Sequence, residues 1–183
     1  MTELYSLAET RGGTVWLKTN AGIHRYHAST GKPVNMTKTL KISNGSVKIL
    51  RHNDRVMLMA GNRFYRLNET SAQLLFSHPG PEGRSSINNF FIDRNGYTWT
   101  NTGKSISCYD GKKWTHFPIP CQKVSGLYGF NHAEGDMYWF GMSSGVYHLD
   151  LGETGLKKTA EGKKPGLEKF YFKNKPVNEP VRN

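Results

Sequence analysis

Seven histidines, His24, His27, His52, His78, His116, His132 and His148, are the side chains best suited to acid–base chemistry near neutral pH. They are scattered, and no Ser-His-Asp grouping accompanies them. His24 and His148 both fall in segments that read as third strands of a repeat, but His24 aligns with Tyr147, and one residue reverses the face of a strand. His52 and His132 close first strands, also out of register. A pair meeting at a ring axis would supply a general base. Out of register, they read as surface or hydrogen-bonded strand residues. Cys108 and Cys121 lack a Cys or His at zinc-ligand spacing and read as two thiols, not a disulfide. No metal and no cofactor are expected, because Gly12-Gly13 and Pro79-Gly80 are turn punctuation and not a phosphate cradle.

Charge is the other chemical signal. Lys and Arg number 25 against 14 Asp and Glu, a formal net charge of +11. Lys157, Lys158, Lys163, Lys164, Lys169, Lys173 and Lys175 concentrate part of it late in the chain. Such a surface attracts polyanions through its long-range field, and Lys157, Lys158, Lys163 and Lys164 are the candidate contacts. No nucleic-acid-binding motif accompanies them, so no nucleic acid partner is expected.

These residues must be held by something, and the hydrophobic pattern says what. Trp16, Met57, Trp99 and Trp139 are spaced by 41, 42 and 40 residues. A period of about 40–45 residues, with short strands and frequent turns, marks a β-propeller blade. The third repeat is the clearest. Ile87–Asp93 is followed by the turn Arg94-Asn95-Gly96, then Tyr97–Asn101, Ser105–Tyr109 and, past Asp110-Gly111, Lys112–Ile119. Asn-Gly supplies the positive φ angles of a tight turn.

The spacing predicts an all-β chain with four four-stranded antiparallel repeats, over about residues 3–40, 47–78, 87–120 and 124–160. A fifth opens near Leu167, with Leu167–Phe172 as its first strand. The fourth strands of repeats one and four are expected near Val34–Leu40 and within Gly155–Ala160. Nothing reads as a helix, since Gly and Pro break every helical stripe. A β-sandwich also has many short strands, yet gives no reason for this interval. The tryptophans are expected as packing between blades, where each aromatic covers about 150–250 Å². Trp114, on an outer strand, is open between packing and stacking. Four repeats and part of a fifth imply a portion of a larger propeller, a four-bladed ring, or two chains sharing one ring.

Two phrases carry a family resemblance. Ile92-Asp93-Arg94-Asn95-Gly96-Tyr97-Thr98-Trp99-Thr100-Asn101-Thr102 and Val15-Trp16-Leu17-Lys18-Thr19-Asn20-Ala21-Gly22-Ile23-His24-Arg25-Tyr26 resemble the two-component regulator propeller repeat. Asp110-Gly111-Lys112-Lys113-Trp114-Thr115 resembles its closing Asp-Gly-x-x-Trp. Repeat two departs from the pattern, with Met57 for Trp and Asp54 where repeat three has Gly96. The resemblance implies an extracytoplasmic sensor propeller of a bacterial hybrid histidine kinase, often one detecting polysaccharide fragments. Similar repeats occur in streptogramin lyases.

Three functions compete on this footing. The favoured one is a non-catalytic ligand-binding or sensory module for a carbohydrate or protein, with self-association through an open edge of the array. The alternatives are a propeller-type lyase with an axial histidine and a polyanion-binding propeller. Ligand contacts are expected in the loops joining second to third strands, at Asn20, Asn62, Lys104, Ser143 and Ser144. No catalytic residue is assigned. The start Met1-Thr2-Glu3 lacks a basic opening and apolar run, and no stretch nears the ~18–20 apolar residues of a membrane span. A periplasmic location follows if the chain is part of a sensor, a cytoplasmic one if it is complete as given.

The charge reading has a direct test. Affinity for heparin should fall steeply with salt, since each neutralised anion releases about one counterion. Replacing Lys157, Lys158, Lys163 and Lys164 with Gln should flatten that slope. Binding is expected to vanish near ~0.15 M salt. Tight binding that persists there and needs these lysines would make polyanion recognition the function.

Overall fold

The computed structural model describes residues 3–42, 46–80, 87, 89–102, 105–119, 126–134, 137–151 and, as backbone, 168–170. The described chain forms four antiparallel four-stranded sheets, the blades of a four-blade β-propeller. Blade one contains β1 (Leu4–Glu9), β2 (Thr14–Thr19), β3 (Gly22–His27) and β4 (Pro33–Asn35). A single helical turn, α1 (Thr37–Leu40), leads to blade two: β5 (Val47–His52), β6 (Arg55–Ala60), β7 (Arg63–Leu67) and β8 (Ala72–Ser77). Blade three is β9 (Phe90–Ile92), β10 (Thr98–Asn101), β11 (Ser105–Tyr109) and β12 (Trp114–Pro118). Blade four is β13 (Leu127–His132), β14 (Met137–Met142), β15 (Gly145–Asp150) and β16 (Glu168–Phe170). In every blade the strands pair in chain order.

The registers make the repeat explicit. Across the first three strands the rows are Ala8–Trp16–Arg25, Leu50–Met57–Arg66, Phe91–Trp99–Cys108 and Asn131–Trp139–His148. Trp16, Met57, Trp99 and Trp139 therefore hold one position, as their spacing predicts. Because strand residues alternate between faces, this row points towards the following blade and its neighbours point back. Trp16 packs with Ile49, Val56 and Leu58 of blade two. Met57 packs with Ile87 and Phe90. Trp99 lies 4.4 Å from Tyr138 and 5.5 Å from Phe140, ring centre to ring centre. Side chains also stitch inner strands across blades: Ile49 N–H donates to Ser6 Oγ at 3.1 Å, and Asn89 Nδ2 to the Leu127 carbonyl at 3.1 Å.

Asp93 explains the form of the strongest repeat. Its Oδ1 accepts the N–H groups of Asn95 and Tyr97, each at 2.9 Å, closing the turn before β10. Its Oδ2 accepts Trp99 Nε1 at 2.9 Å and the Tyr138 hydroxyl at 3.2 Å. One carboxyl group, 3% exposed, thus ties a turn to its blade's Trp and to the next blade. Gly96 takes φ 82° in that turn, and in blade two Asn53 takes φ 53° instead of a glycine. Asn visits the left-handed region more readily than other side chains. That is how Asp54 can follow in the degenerate repeat.

Two expectations are corrected, and a third falls outside the described residues. Glu168–Phe170 does not open a fifth blade: β16 pairs with β15 as the outermost strand of blade four, filling the free hydrogen-bonding edge there. The fourth strand expected within Gly155–Ala160 lies outside the described residues. The strand expected over Val34–Leu40 is only Pro33–Asn35, and Thr37–Leu40 forms a helical turn. There Thr37 Oγ1 accepts the Ile23 N–H and Met36 N–H donates to the Ile23 carbonyl, which bends the chain back over β3. Gly22 is required beneath this turn, since a Cβ there would collide with Thr37 Oγ1.

Asp93→Ala would leave two side-chain donors and two backbone N–H groups without their acceptor. A loss of about 3–5 kcal/mol is expected in urea unfolding. Tyr138→Phe removes one partner and should cost about 1 kcal/mol. Equal effects from the two would remove Asp93 from the centre of the network.

Candidate functional site

The loops joining second to third strands share one end of the propeller with α1 and with the segment after β8. Asn20 is exposed there, with Oδ1 accepting the Glu3 N–H at 3.4 Å. Behind it, Thr19 Oγ1 accepts the Ala21 N–H at 3.1 Å, and Asn35 Nδ2 donates to the Ala21 carbonyl at 3.2 Å. Asn62 is buried: its Nδ2 donates to the carbonyls of His78 and Gly80, at 3.2 and 3.3 Å, while its own carbonyl accepts the His78 N–H at 2.8 Å. That amide holds the chain leaving β8. Ser143 is exposed, and Ser144 Oγ accepts the Tyr147 hydroxyl at 3.1 Å. Lys104, Lys157, Lys158, Lys163 and Lys164 lie outside the described residues, as does Cys121. Of the residues proposed from sequence, Asn20 and Ser143 are therefore those displayed at this end.

His24, His148, His52 and His132 each have their own surroundings. His24 sits on β3 beside Thr19 Oγ1, 3.4 Å from Nδ1, and His148 lies on β15 with its ring 5.4 Å from Trp139. His52 Nε2 is 3.2 Å from Asn53 Nδ2. His132 stacks on Tyr138 at 4.2 Å and receives Arg94 Nε on Nδ1 at 3.2 Å. Arg94 also reaches the carbonyls of His132 and Ala133, bridging the turns of blades three and four. Among the described residues no three His, Cys, Asp or Glu side chains group as metal ligands. Burial, with Asp93 and Asp110 nearby, pushes the Cys108 thiol strongly up, so it is a packing residue with no thiolate chemistry.

A pair that the spacing did not reveal lies where blades two and three meet. His78 and His116 are 5.5 Å apart, ring centre to ring centre. The buried Ser107 hydroxyl is 2.8 Å from His116 Nδ1, and the Trp114 ring stands 4.5 Å from His78. Trp114 Nε1 donates to the Ser77 carbonyl at 3.1 Å, which settles Trp114 as inter-blade packing among Phe64, Phe76 and Tyr109. Their sequence separation exceeds a strand hairpin, and only blade stacking joins them. His78 is 5% exposed, its Nδ1 accepts the Gly80 N–H at 3.0 Å, and its Nε2 has no partner. Nε2 then carries the proton of a neutral ring. Burial, reinforced by His116, pushes its pKa down to about 4. Ser107 is 0% exposed, so its hydroxyl is closed off from a substrate that a nucleophile would have to reach.

His78 gives stability a pH slope of known sign. The unfolded chain takes a proton at His78 below about pH 6.5, where the native ring stays neutral. Stability should fall as pH drops from about 6.5 towards 4 and then level off. His78→Gln should lessen the difference in urea midpoint between pH 7.5 and pH 5. An unchanged difference would assign the slope to other groups.

By sequence, the chain matches no protein-family model and no curated protein. By structure it is similar to known propellers. An inactive variant of virginiamycin B lyase from Staphylococcus aureus superposes with a TM-score of 0.63 at 16% identity, over 94% of this chain and 57% of that one. The extracellular domain assigned to the hybrid two component system BT4673 of B. thetaiotaomicron superposes with a TM-score of 0.66 at 15% identity, over 99% of this chain and 24% of that one. YCF48 bound to D1 peptide gives 0.58 at 13% identity, over 83% and 52%. The chain thus spans little more than half of the lyase and about a quarter of that extracellular domain. At these identities the likeness establishes the propeller fold, which also occurs in extracellular domains of two-component systems.

Proposed function

We propose that this chain is a non-catalytic binding module of a sensory propeller, taking a carbohydrate at the loop end that displays Asn20 and Ser143. The observation that carries it is the state of the histidines. His132 is engaged by Arg94 and Tyr138, His78 is held neutral and buried, and His24 and His148 lie in different blades. General acid–base catalysis needs a titrating group within reach of a reacting proton and a partner to tune it. Exposed amides and hydroxyls on a rigid sheet scaffold suit recognition of neutral, hydroxyl-rich ligands. The likeness to the extracellular domain of a two-component system supports a sensory role.

A lyase reading has one observation in its favour, the superposition on virginiamycin B lyase. The experiment separates the two. The chain is titrated calorimetrically with a panel of plant and host oligosaccharides, and separately incubated with virginiamycin B. Binding of one oligosaccharide class is expected, weakened about tenfold or more by the Asn20→Ala, Ser143→Ala double variant, with virginiamycin B left intact. Cleavage of virginiamycin B that is lost about a thousandfold on replacing one histidine would make the chain an enzyme.

A further inference from the structure

The first strands of blades one and four carry the same irregularity. In blade one β1 pairs Leu4 with Thr19 and Ser6 with Lys18, so Tyr5 is an extra residue bulged out of the ladder. In blade four β13 pairs Leu127 with Met142 and Gly129 with Gly141, so Tyr128 is bulged out at the equivalent position. A bulge leaves its extra residue unpaired and re-aims the side chain. Tyr5 is 55% and Tyr128 69% exposed, and they are the aromatic residues among the described large exposed hydrophobics. Blade two has no bulge here: Val47 pairs with Ala60 and Lys48 with Met59.

Each bulge lies beside a displayed loop residue. The turn Asn20-Ala21 joins the paired Thr19 and Gly22, and the turn Ser143-Ser144 joins the paired Met142 and Gly145. Gly22 and Gly145 both take φ 130°. Asn20 follows Thr19, the partner of Leu4, and Ser143 follows Met142, the partner of Leu127. The two loop residues therefore hold one position relative to their tyrosines. In blade one the link is direct: Asn20 N–H donates to the Glu3 carbonyl at 3.2 Å, and the Tyr5 hydroxyl donates to Glu3 Oε2 at 2.8 Å. In blade two Gly61 stands at this position and brings no side chain.

Both rings are held in place. Lys18 Nζ lies 5.3 Å from the centre of the Tyr5 ring. The Tyr128 ring packs against Gly126, where an added Cβ would lie 3.3 Å from Cε1 and Cζ. We infer that Tyr5 with Asn20, and Tyr128 with Ser143, are two equivalent subsites, each taking one neutral pyranose ring of the all-equatorial, glucose type. This rests on the carbohydrate-binding reading above and supplies the apolar contact that Asn20 and Ser143 alone lack.

The chemistry of the sugar fits the pairing. An all-equatorial pyranose carries hydroxyls around its rim and axial C–H groups on its faces. Those C–H groups are slightly positive and match the negative face of a phenol ring. An axial hydroxyl would interrupt that contact. A short amide or hydroxyl beside the ring can exchange hydrogen bonds with a rim hydroxyl. Tyrosine also orders at little entropic cost, because it has only two χ angles. One ring and one polar group make a weak site, with a Kd of about 1 mM for a single sugar unit.

Tyrosine ring resonances of the full chain, followed by NMR during titration with cellotetraose to ~10 mM, test this. The variants Tyr5→Ala and Tyr128→Ala assign the two signals by their loss, with far-UV circular dichroism unchanged because both side chains are exposed. Both signals should shift and saturate. Asn20→Ala should weaken the response of Tyr5 about threefold or more and spare that of Tyr128, and Ser143→Ala should do the reverse. Rings unmoved by cellotetraose, or moved without regard to Asn20 and Ser143, would overturn the inference. So would shifts produced by tetragalacturonate alone and lost near ~0.15 M salt, which mark a contact made by charge. A sugar that binds with both tyrosine signals unmoved would remove these subsites and leave the carbohydrate-binding module standing. No binding by any sugar would remove both.

Discussion

The carboxyl group of Asp93 is the point at which local and long-range structure are joined. A buried carboxyl is tolerable only when its oxygens receive donors. Here two donors come from the backbone of its own turn, one from the indole of its own second strand and one from the tyrosine of the following blade. The turn cannot close without orienting the oxygens, and oriented oxygens fix the indole. The indole then sets the surface on which Tyr138 and Phe140 pack. The repeat motif is thus a packing instruction that runs from one blade into the next.

The other junctions reach the same end by weaker means. In blade one Thr10 stands at the Asp93 position, its Oγ1 accepting the Thr14 N–H at 3.3 Å, and the junction with blade two is aliphatic around Trp16. In blade two Met57 and Met59 fill the forward face against Phe90 and Ile87. A flexible thioether can accommodate an irregular gap that an indole could not. A one-dimensional array of this kind gains stability from each nearest-neighbour junction.

The same economy bears on function. Polar residues near the blade junctions are mostly occupied in holding loops: Asn62 on the strand exit, Arg94 across two turns, Ser107 on His116. Among the described residues, those displayed at the loop end include the Asn20 amide and the Ser143 hydroxyl, together with Lys38 and Lys41 at α1. That surface is suited to reading a ligand's shape and hydroxyl pattern.

The amino-acid sequence by itself determined the repeat. Interval, turn residues and the alternation of apolar side chains are local properties, and they placed Trp16, Met57, Trp99 and Trp139 in one register and His24 opposite Tyr147 in another. It also carried the four-strand meander, because hairpin pairing is decided by turns of a few residues. Tertiary structure alone decided the rest. Whether Asn62 faces solvent or the chain leaving β8, and whether His78 meets His116, depends on how blades stack, which no interval encodes. The half-buried state of Trp139 is likewise unreadable from its motif, since Trp99 carries an equivalent motif and is fully enclosed. Glu168–Phe170 shows the same limit: three residues of extended chain fit the first strand of one blade as well as the last strand of another. The open edge of β15 made the choice, because an unpaired row of backbone groups is satisfied by the nearest strand that can reach it.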